Sequence, residues 1–222
     1  MKDFIYNILN RKKNFNSKEY WQKRYSVGEN SGAGSYGRLA KFKAEIINEF
    51  VKKNKINLVT EFGCGDGNQL FLFKIPNYIG LDVSKKSIEL CKNLFITDKN
   101  KSFFLYDPQY FVDNVSLFKS DLTLSLDVIY HLIEDNVFNK YMQDLFSTSK
   151  KYVMIYASNT NTNKIIQSQH VKHRNFSEWV TKNLLEWKLI KKINNKYPLK
   201  CNEKEESFAD FYIYKKKTLF KK

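Results

Sequence analysis

After Gly80 the chain contains no glycine, so residues 81–222 must turn without it. All eight glycines lie between Gly28 and Gly80. A residue without Cβ lets the backbone pass through positive φ and lets a ligand come close to the main chain, so this concentration points to one task. Cysteine is also scarce. Cys64, Cys91 and Cys201 are odd in number, widely separated and form no C-x-x-C pair, which excludes a disulfide framework and a cysteine zinc cluster and predicts a reducing, cytoplasmic setting. No apolar run approaches the ~18 residues of a spanning helix. Residues 1–14 place their basic side chains after a short apolar part, without a cleavage-site pattern, so neither secretion nor membrane spanning is expected.

Three glycines fall in Glu61-Phe62-Gly63-Cys64-Gly65-Asp66-Gly67, directly after the apolar-rich Leu58-Val59-Thr60. Leu58–Phe62 reads as a short buried strand, Asn68–Phe73 as a following helix, and Tyr78–Val83 as a second strand carrying an acid near its end. In such a βαβ unit, Asp82 stands 19 positions after Gly63, where a carboxylate accepts hydrogen bonds from a ribose. The ligand is therefore expected to be a nucleoside. The dinucleotide pattern G-x-G-x-x-G would need glycine at position 68, where Asn68 stands. Glu61 and Asp66 would repel a pyrophosphate but attract an ammonium and a sulfonium, which favours S-adenosylmethionine.

The strings EFGCGDG and GLDVS resemble the first two motifs of class I S-adenosylmethionine-dependent methyltransferases, and the order of elements extends that resemblance over roughly residues 35–217. YWQKRY, NSGAGSYGRLAKFKAEI, SLDVIYHLIED and HVKHRNFSEW are similar to small methyltransferases of bacterial capsule and surface-glycan clusters, within them those of the O-methyl phosphoramidate decoration. The resemblance implies an α/β, Rossmann-like seven-stranded sheet whose last strand pair is antiparallel. It implies S-adenosylmethionine as cofactor, S-adenosylhomocysteine as product, and no metal. Cofactor contacts are expected from Glu61, Gly63, Gly65, Gly67, Asp82, Asp107 in the adenine region, and Leu126. Residues 1–37 are read as an N-terminal helical or lid segment, with one or two helical turns before residue 25 and Tyr36 stacking or hydrogen bonding over the cofactor. Residues 38–222 are read as one methyltransferase domain.

Periodicity predicts a helix through Leu39, Phe42, Ile46, Ile47, Phe50 and Val51. It also predicts a helix from Ser84 to about Leu94, a strand at Ser102–Tyr106, and a long apolar strand over Leu122–Leu132. A helix at Val137–Phe146, a strand at Tyr152–Ala157, a helix around Phe176–Glu186, and strands at Trp187–Ile193 and Ala209–Tyr214 complete the reading. In a doubly wound sheet the residues closing the fourth strand face the ligand crevice. Methyl transfer needs alignment, and a base where the acceptor is a hydroxyl. His131 is accordingly the expected base or orienting group, with Tyr130 beside it. His170, Lys172, His173 and Arg174 read as a clamp for an anionic acceptor, Arg174 being able to grip phosphate bidentately.

The net charge of +15 is uneven: residues 1–60 carry 13 basic against 5 acidic side chains, 61–150 carry 9 against 12, and 151–222 carry 16 against 6. The basic ends predict a small anionic acceptor, a nucleotide-linked, phosphorylated or phosphoramidate carbohydrate precursor; an anionic membrane surface is a second destination for them. A stable nucleic-acid partner is not expected. No Asn/Asp-Pro-Pro-aromatic turn follows the fourth strand, which argues against base-amine methylation, and no cysteine is placed for cytosine C5 chemistry. Ribose methylation of RNA and a non-catalytic methyltransferase-like binding subunit remain as alternatives.

Overall fold

The computed structural model describes residues 15–164, 168–199 and 205–218; Cys201 and the first fourteen residues lie outside them. Seven strands form one sheet: β1 (Leu58–Phe62), β2 (Asn77–Asp82), β3 (Lys101–Leu105), β4 (Ser120–Leu126), β5 (Ser149–Ala157), β6 (Trp187–Ile193) and β7 (Asp210–Lys216). Their order is β3-β2-β1-β4-β5-β7-β6. β1 to β5 run parallel, and β7 is antiparallel to both β5 and β6. The helices are α1 (Ser17–Ser26), α2 (Gly37–Lys53), α3 (Lys85–Leu94), α4 (Asp135–Ser147) and α5 (Phe176–Asn183).

Central strands buried on both faces send alternate residues to opposite sides. In β5, Met154 and Tyr156 join the cluster under α2 and α3, whereas Val153 and Ile155 join the one under α4 and α5. Short polar side chains set helix starts as their sequence positions suggest: Asn16, Ser84 and Asn175 each accept a hydrogen bond from the amide three residues on. β1 and β4 are neighbours while the chain winds outward from each, so the sheet reverses between them and opens a crevice at the carboxyl ends of both.

Three segments differ from the sequence reading. The expected helix over Asn68–Phe73 is a single 3-10 turn, Gln69–Leu72. Asn48 ends it: its amide donates to Leu72 O at 2.9 Å and its carbonyl accepts from Lys74 N at 2.7 Å, which turns the chain into β2. The apolar run Leu122–Leu132 is a strand only to Leu126. Asp127 then takes φ +60°, and Ile129–His131 forms a 3-10 turn closed by His131 N on Val128 O at 2.7 Å. The N-terminal helix is also longer than two turns, running ten residues from its Asn16 cap.

Candidate functional site

A cavity of about 780 Å³ opens at the crevice, a size suited to a small-molecule ligand. It is lined by the ends of β1 (Glu61, Gly63, Gly65), β2 (Asp82, Val83) and β4 (Leu126, Asp127), and by Asp107 after β3. His131 and Glu134 follow β4, and Trp21 and Tyr25 of α1 cover it.

Four of the five amides from Gly63 to Gly67 are already used. Gly63 N and Cys64 N both donate to Leu81 O, at 2.7 and 3.1 Å. Gly65 N donates to Asp82 Oδ2 at 2.9 Å, Asp66 N to Ser31 Oγ at 2.9 Å, and Asn68 N to Asp66 Oδ1 at 3.1 Å. An anion-binding nest needs such amides free to point at phosphate. Here what faces the ligand space is carboxylate. Gly63 has φ +83°, and a Cβ there would meet Val128 Cγ2 at 2.4 Å, so the bend requires glycine on both counts. Gly67, also at positive φ, packs on Cys91 and Phe95 and does not line the cavity.

Glu61 and Asp82 are both buried. Burial pushes the Glu61 carboxyl up to about 7, against the opposing pull of the Tyr78 hydroxyl and Lys43. Tyr78 donates to Glu61 Oε2 at 2.5 Å. Burial likewise pushes Asp82 up to about 6, opposed by the amides of Ser84 and Gly65. Two buried carboxyls that hold protons near neutrality are poised for a ligand that brings positive charge and hydroxyl donors. Asp107 is held below the usual carboxylate range by Lys18, whose ammonium is 2.7 Å from Oδ2.

Lys43, whose charge reaches Glu61, donates to Asp127 Oδ2 at 2.6 Å, and the Tyr130 hydroxyl donates to Oδ1 of the same carboxylate at 2.8 Å. Lys43 was hidden in the sequence because it sits on the apolar face of α2, four residues from both Leu39 and Ile47; a charge at such a spacing is the signal that could have found it. Asp127 stood inside the expected strand, so its role as the hinge into the 3-10 turn was not legible either. Tyr130 is buried beside Asp127 and does not itself line the cavity.

His131 does line it. Its Nδ1 lies 2.7 Å from the carbonyl oxygen of His170, which can only accept, so Nδ1 carries the proton and Nε2 keeps its lone pair. Burial pulls the imidazole down to about 4, with the His170 carbonyl opposing, so the ring stays neutral. Trp21 meets it edge to face at 5.0 Å, and the His170 ring stacks on it at 5.2 Å and on Tyr20 at 4.8 Å.

The rest of the expected clamp is brought together, but beside the cavity rather than on its wall. Arg174 donates to Leu132 O at 2.5 Å and Ile133 O at 2.9 Å and pairs with Asp135 at 2.7 Å. Lys172 pairs with the same Asp135 at 2.7 Å, and His173 Nδ1 meets Ser158 Oγ at 2.6 Å. In this arrangement the segment braces the turn that presents His131. Tyr36 similarly donates to Asp66 Oδ2 at 2.8 Å, alongside Ser31 N at 2.8 Å, fastening the 28–37 loop to the glycine loop. Among the described residues no group of three or more His, Cys, Asp or Glu is placed to hold a metal ion, and no helix is long and apolar enough to cross a membrane.

Solved structures share this fold. The N-methyltransferase NodS from Bradyrhizobium japonicum WM9, in complex with S-adenosylhomocysteine, superposes with a TM-score of 0.66 at 11% identity, covering 91% of this chain and 99% of that one. Magnesium protoporphyrin IX methyltransferase ChlM from Synechocystis PCC 6803, also with bound S-adenosylhomocysteine, gives 0.64 at 12% identity over 90% and 97%. The methyltransferase domain of bacterial CtHen1-C gives 0.60 at 18% identity over 80% and 98%. The chain has the fold of class I S-adenosylmethionine-dependent methyltransferases. No family model matches the sequence, and no curated protein does. On this methyltransferase fold, Glu61, Gly63, Gly65, Asp82, Asp107, Leu126 and His131 come together on one cavity. Gly67, Tyr36 and Tyr130 support it from behind.

Proposed function

We propose that the chain is an S-adenosylmethionine-dependent methyltransferase that methylates an oxygen of a small, anionic carbohydrate-type acceptor. The observation that carries the reading is the glycine bend whose amides are spent on Leu81, Asp82 and Ser31 while Glu61 and Asp82 line the cavity. A diphosphate would find carboxylates where it needs donors; a sulfonium-bearing adenosyl group would find the charge it needs. When bound, S-adenosylmethionine supplies an electrophilic methyl group and leaves as S-adenosylhomocysteine. Asp82 is suited to accept from ribose hydroxyls, and Asp107, on the same cavity wall, to meet the adenine.

His131 supplies the acceptor end. Its neutral ring offers Nε2 as a hydrogen-bond acceptor, which suits an O–H donor, aligning the oxygen lone pair and taking up its proton as the new bond forms. This favours a hydroxyl over an already anionic phosphoramidate oxygen as the nucleophile. The anionic character of the acceptor is supported by the basic ends of the chain, and the capsule and surface-glycan class by the motif resemblance. The test is incubation with methyl-labelled cofactor and a panel of hydroxyl-bearing nucleotide-sugar, phosphorylated-sugar and phosphoramidate precursors. Label on one of these supports the reading. Label on RNA, with binding that weakens steeply as salt rises, would replace it by ribose methylation; cofactor binding without any turnover would favour a non-catalytic subunit.

A further inference from the structure

Two buried polar groups in the cavity have unused hydrogen-bonding capacity. Lys43 is 1% exposed, and its ammonium carries three donors. Among the described residues its one hydrogen-bonding partner is Asp127, and it lies 5.3 Å over the Tyr156 ring. Gln69 is 6% exposed; its Nε2 donates to Ala40 O at 2.9 Å, while its Oε1 has no partner among the described residues. Both side chains line the cavity. Gln69 is tied to the Ala40 carbonyl of α2, three residues before Lys43, so the same stretch of helix holds both. The pair therefore offers spare cationic donors and a spare neutral acceptor, with Glu61 close enough to Lys43 for each to feel the other's charge.

We propose that Lys43 and Gln69 form a clamp for an α-amino-acid zwitterion, the methionine end of the cofactor, a proposal that rests on the cofactor reading above. The carboxylate takes the free donors of Lys43, which then bridges it to Asp127. The ammonium donates to Gln69 Oε1 and is held by the Glu61 charge. A buried ammonium with one hydrogen bond and a buried amide oxygen with none are both costly in a finished protein; a zwitterion satisfies both together. Asp127 and Lys43 thereby join the two halves of the site, because the carboxylate that steadies the clamp also receives Tyr130 and begins the turn leading to His131.

The test is calorimetric binding of S-adenosylhomocysteine, which has the amino-acid end, against 5′-methylthioadenosine, which lacks it. Lys43→Met and Gln69→Leu are each expected to weaken S-adenosylhomocysteine by about 10-fold or more while leaving 5′-methylthioadenosine within about twofold of wild type. Retained binding of the second ligand reports that the variants fold. Because Lys43→Met strands Asp127, Lys43→Met/Asp127→Asn is included, with the same expected selectivity. Decarboxylated S-adenosylmethionine adds a charge-specific readout: wild type discriminates against it, and Lys43→Met erases that discrimination. Equal weakening of both adenosyl ligands, or unchanged S-adenosylhomocysteine binding in the variants, overturns the clamp alone. A wild-type protein that binds neither ligand overturns the cofactor reading together with it.

Discussion

Raising the pH from 6.0 to 7.5 is expected to tighten binding of S-adenosylhomocysteine, with release of protons. Glu61 sits at about 7 and Asp82 at about 6 in the unliganded protein. The ligand prefers both ionised, so the affinity scales with the product of their ionised fractions. At pH 6.0 that product is about 0.05, and at pH 7.5 about 0.7, so the predicted gain is about 15-fold. At pH 6.5 the two groups together hold about one proton, which binding must expel. Above pH 7.5 the ligand's own amino group begins to titrate, so the window stops there. Calorimetry in two buffers of different ionisation enthalpy reads affinity and proton count in the same experiment. Glu61→Gln should remove most of the slope. An affinity that is flat or falls over this window, or a slope that survives Glu61→Gln, refutes the assignment of these carboxyls to the ligand's ammonium and hydroxyl donors.

The same two groups give the unliganded fold a pH dependence of definite sign. Their folded values lie above the ordinary ones, so the stability they contribute is present in acid and is lost as pH rises through about 6 and then 7; chemical denaturation of the unliganded protein at pH 5 and 8 checks this, once His131 is replaced to remove the opposite trend below. His131 is depressed to about 4, so its contribution is present above about pH 6.5 and is lost as pH falls toward 4. With the ring neutral throughout, turnover should show no His131 inflection between pH 6 and 8. His131→Gln should lower kcat by about 100-fold or more at unchanged cofactor affinity if the ring takes the proton, measured by steady-state kinetics. Gly63→Ala is expected to cost about 1–3 kcal/mol by thermal melting, since the new methyl meets Val128 at 2.4 Å on a positive-φ backbone. Arg174→Met should destabilise by a similar ~1–3 kcal/mol, because it strips partners from Leu132 O, Ile133 O and Asp135; a variant as stable as wild type that only raises the acceptor KM would instead restore the direct clamp role.

The two strands and the glycine bend between Leu58 and Asp82 were readable because each signal is local: an apolar strand, glycines at the exit, a second strand, an acid at its end; the helix expected between them was not. The antiparallel closing pair was implied by the family resemblance, with which two final strands after the last helix agree. The turn after β4 was not readable, because Ile129-Tyr130-His131-Leu132 has the composition of a strand. What breaks it is Asp127, held by Lys43 from a helix 84 residues earlier in the chain. A long-range ion pair leaves no periodicity. His170 to Arg174 were legible as a cationic cluster, but their partners, carbonyls of Leu132 and Ile133 and the shared Asp135, are tertiary, so their direction could not be inferred from charge alone. The short turn at Gln69 escaped for the same reason: Asn48 on α2 decides where it stops.

The proposed function rests on a glycine bend, its amides from Gly63 to Asp66 spent and flanked by buried carboxyls, selecting a cationic adenosyl ligand over a diphosphate. Calorimetric titration of the full chain with S-adenosylmethionine and with NAD at pH 7.5 tests it most directly. Saturable one-to-one binding of S-adenosylmethionine and none of NAD is expected. Binding of NAD with no response to S-adenosylmethionine would contradict it.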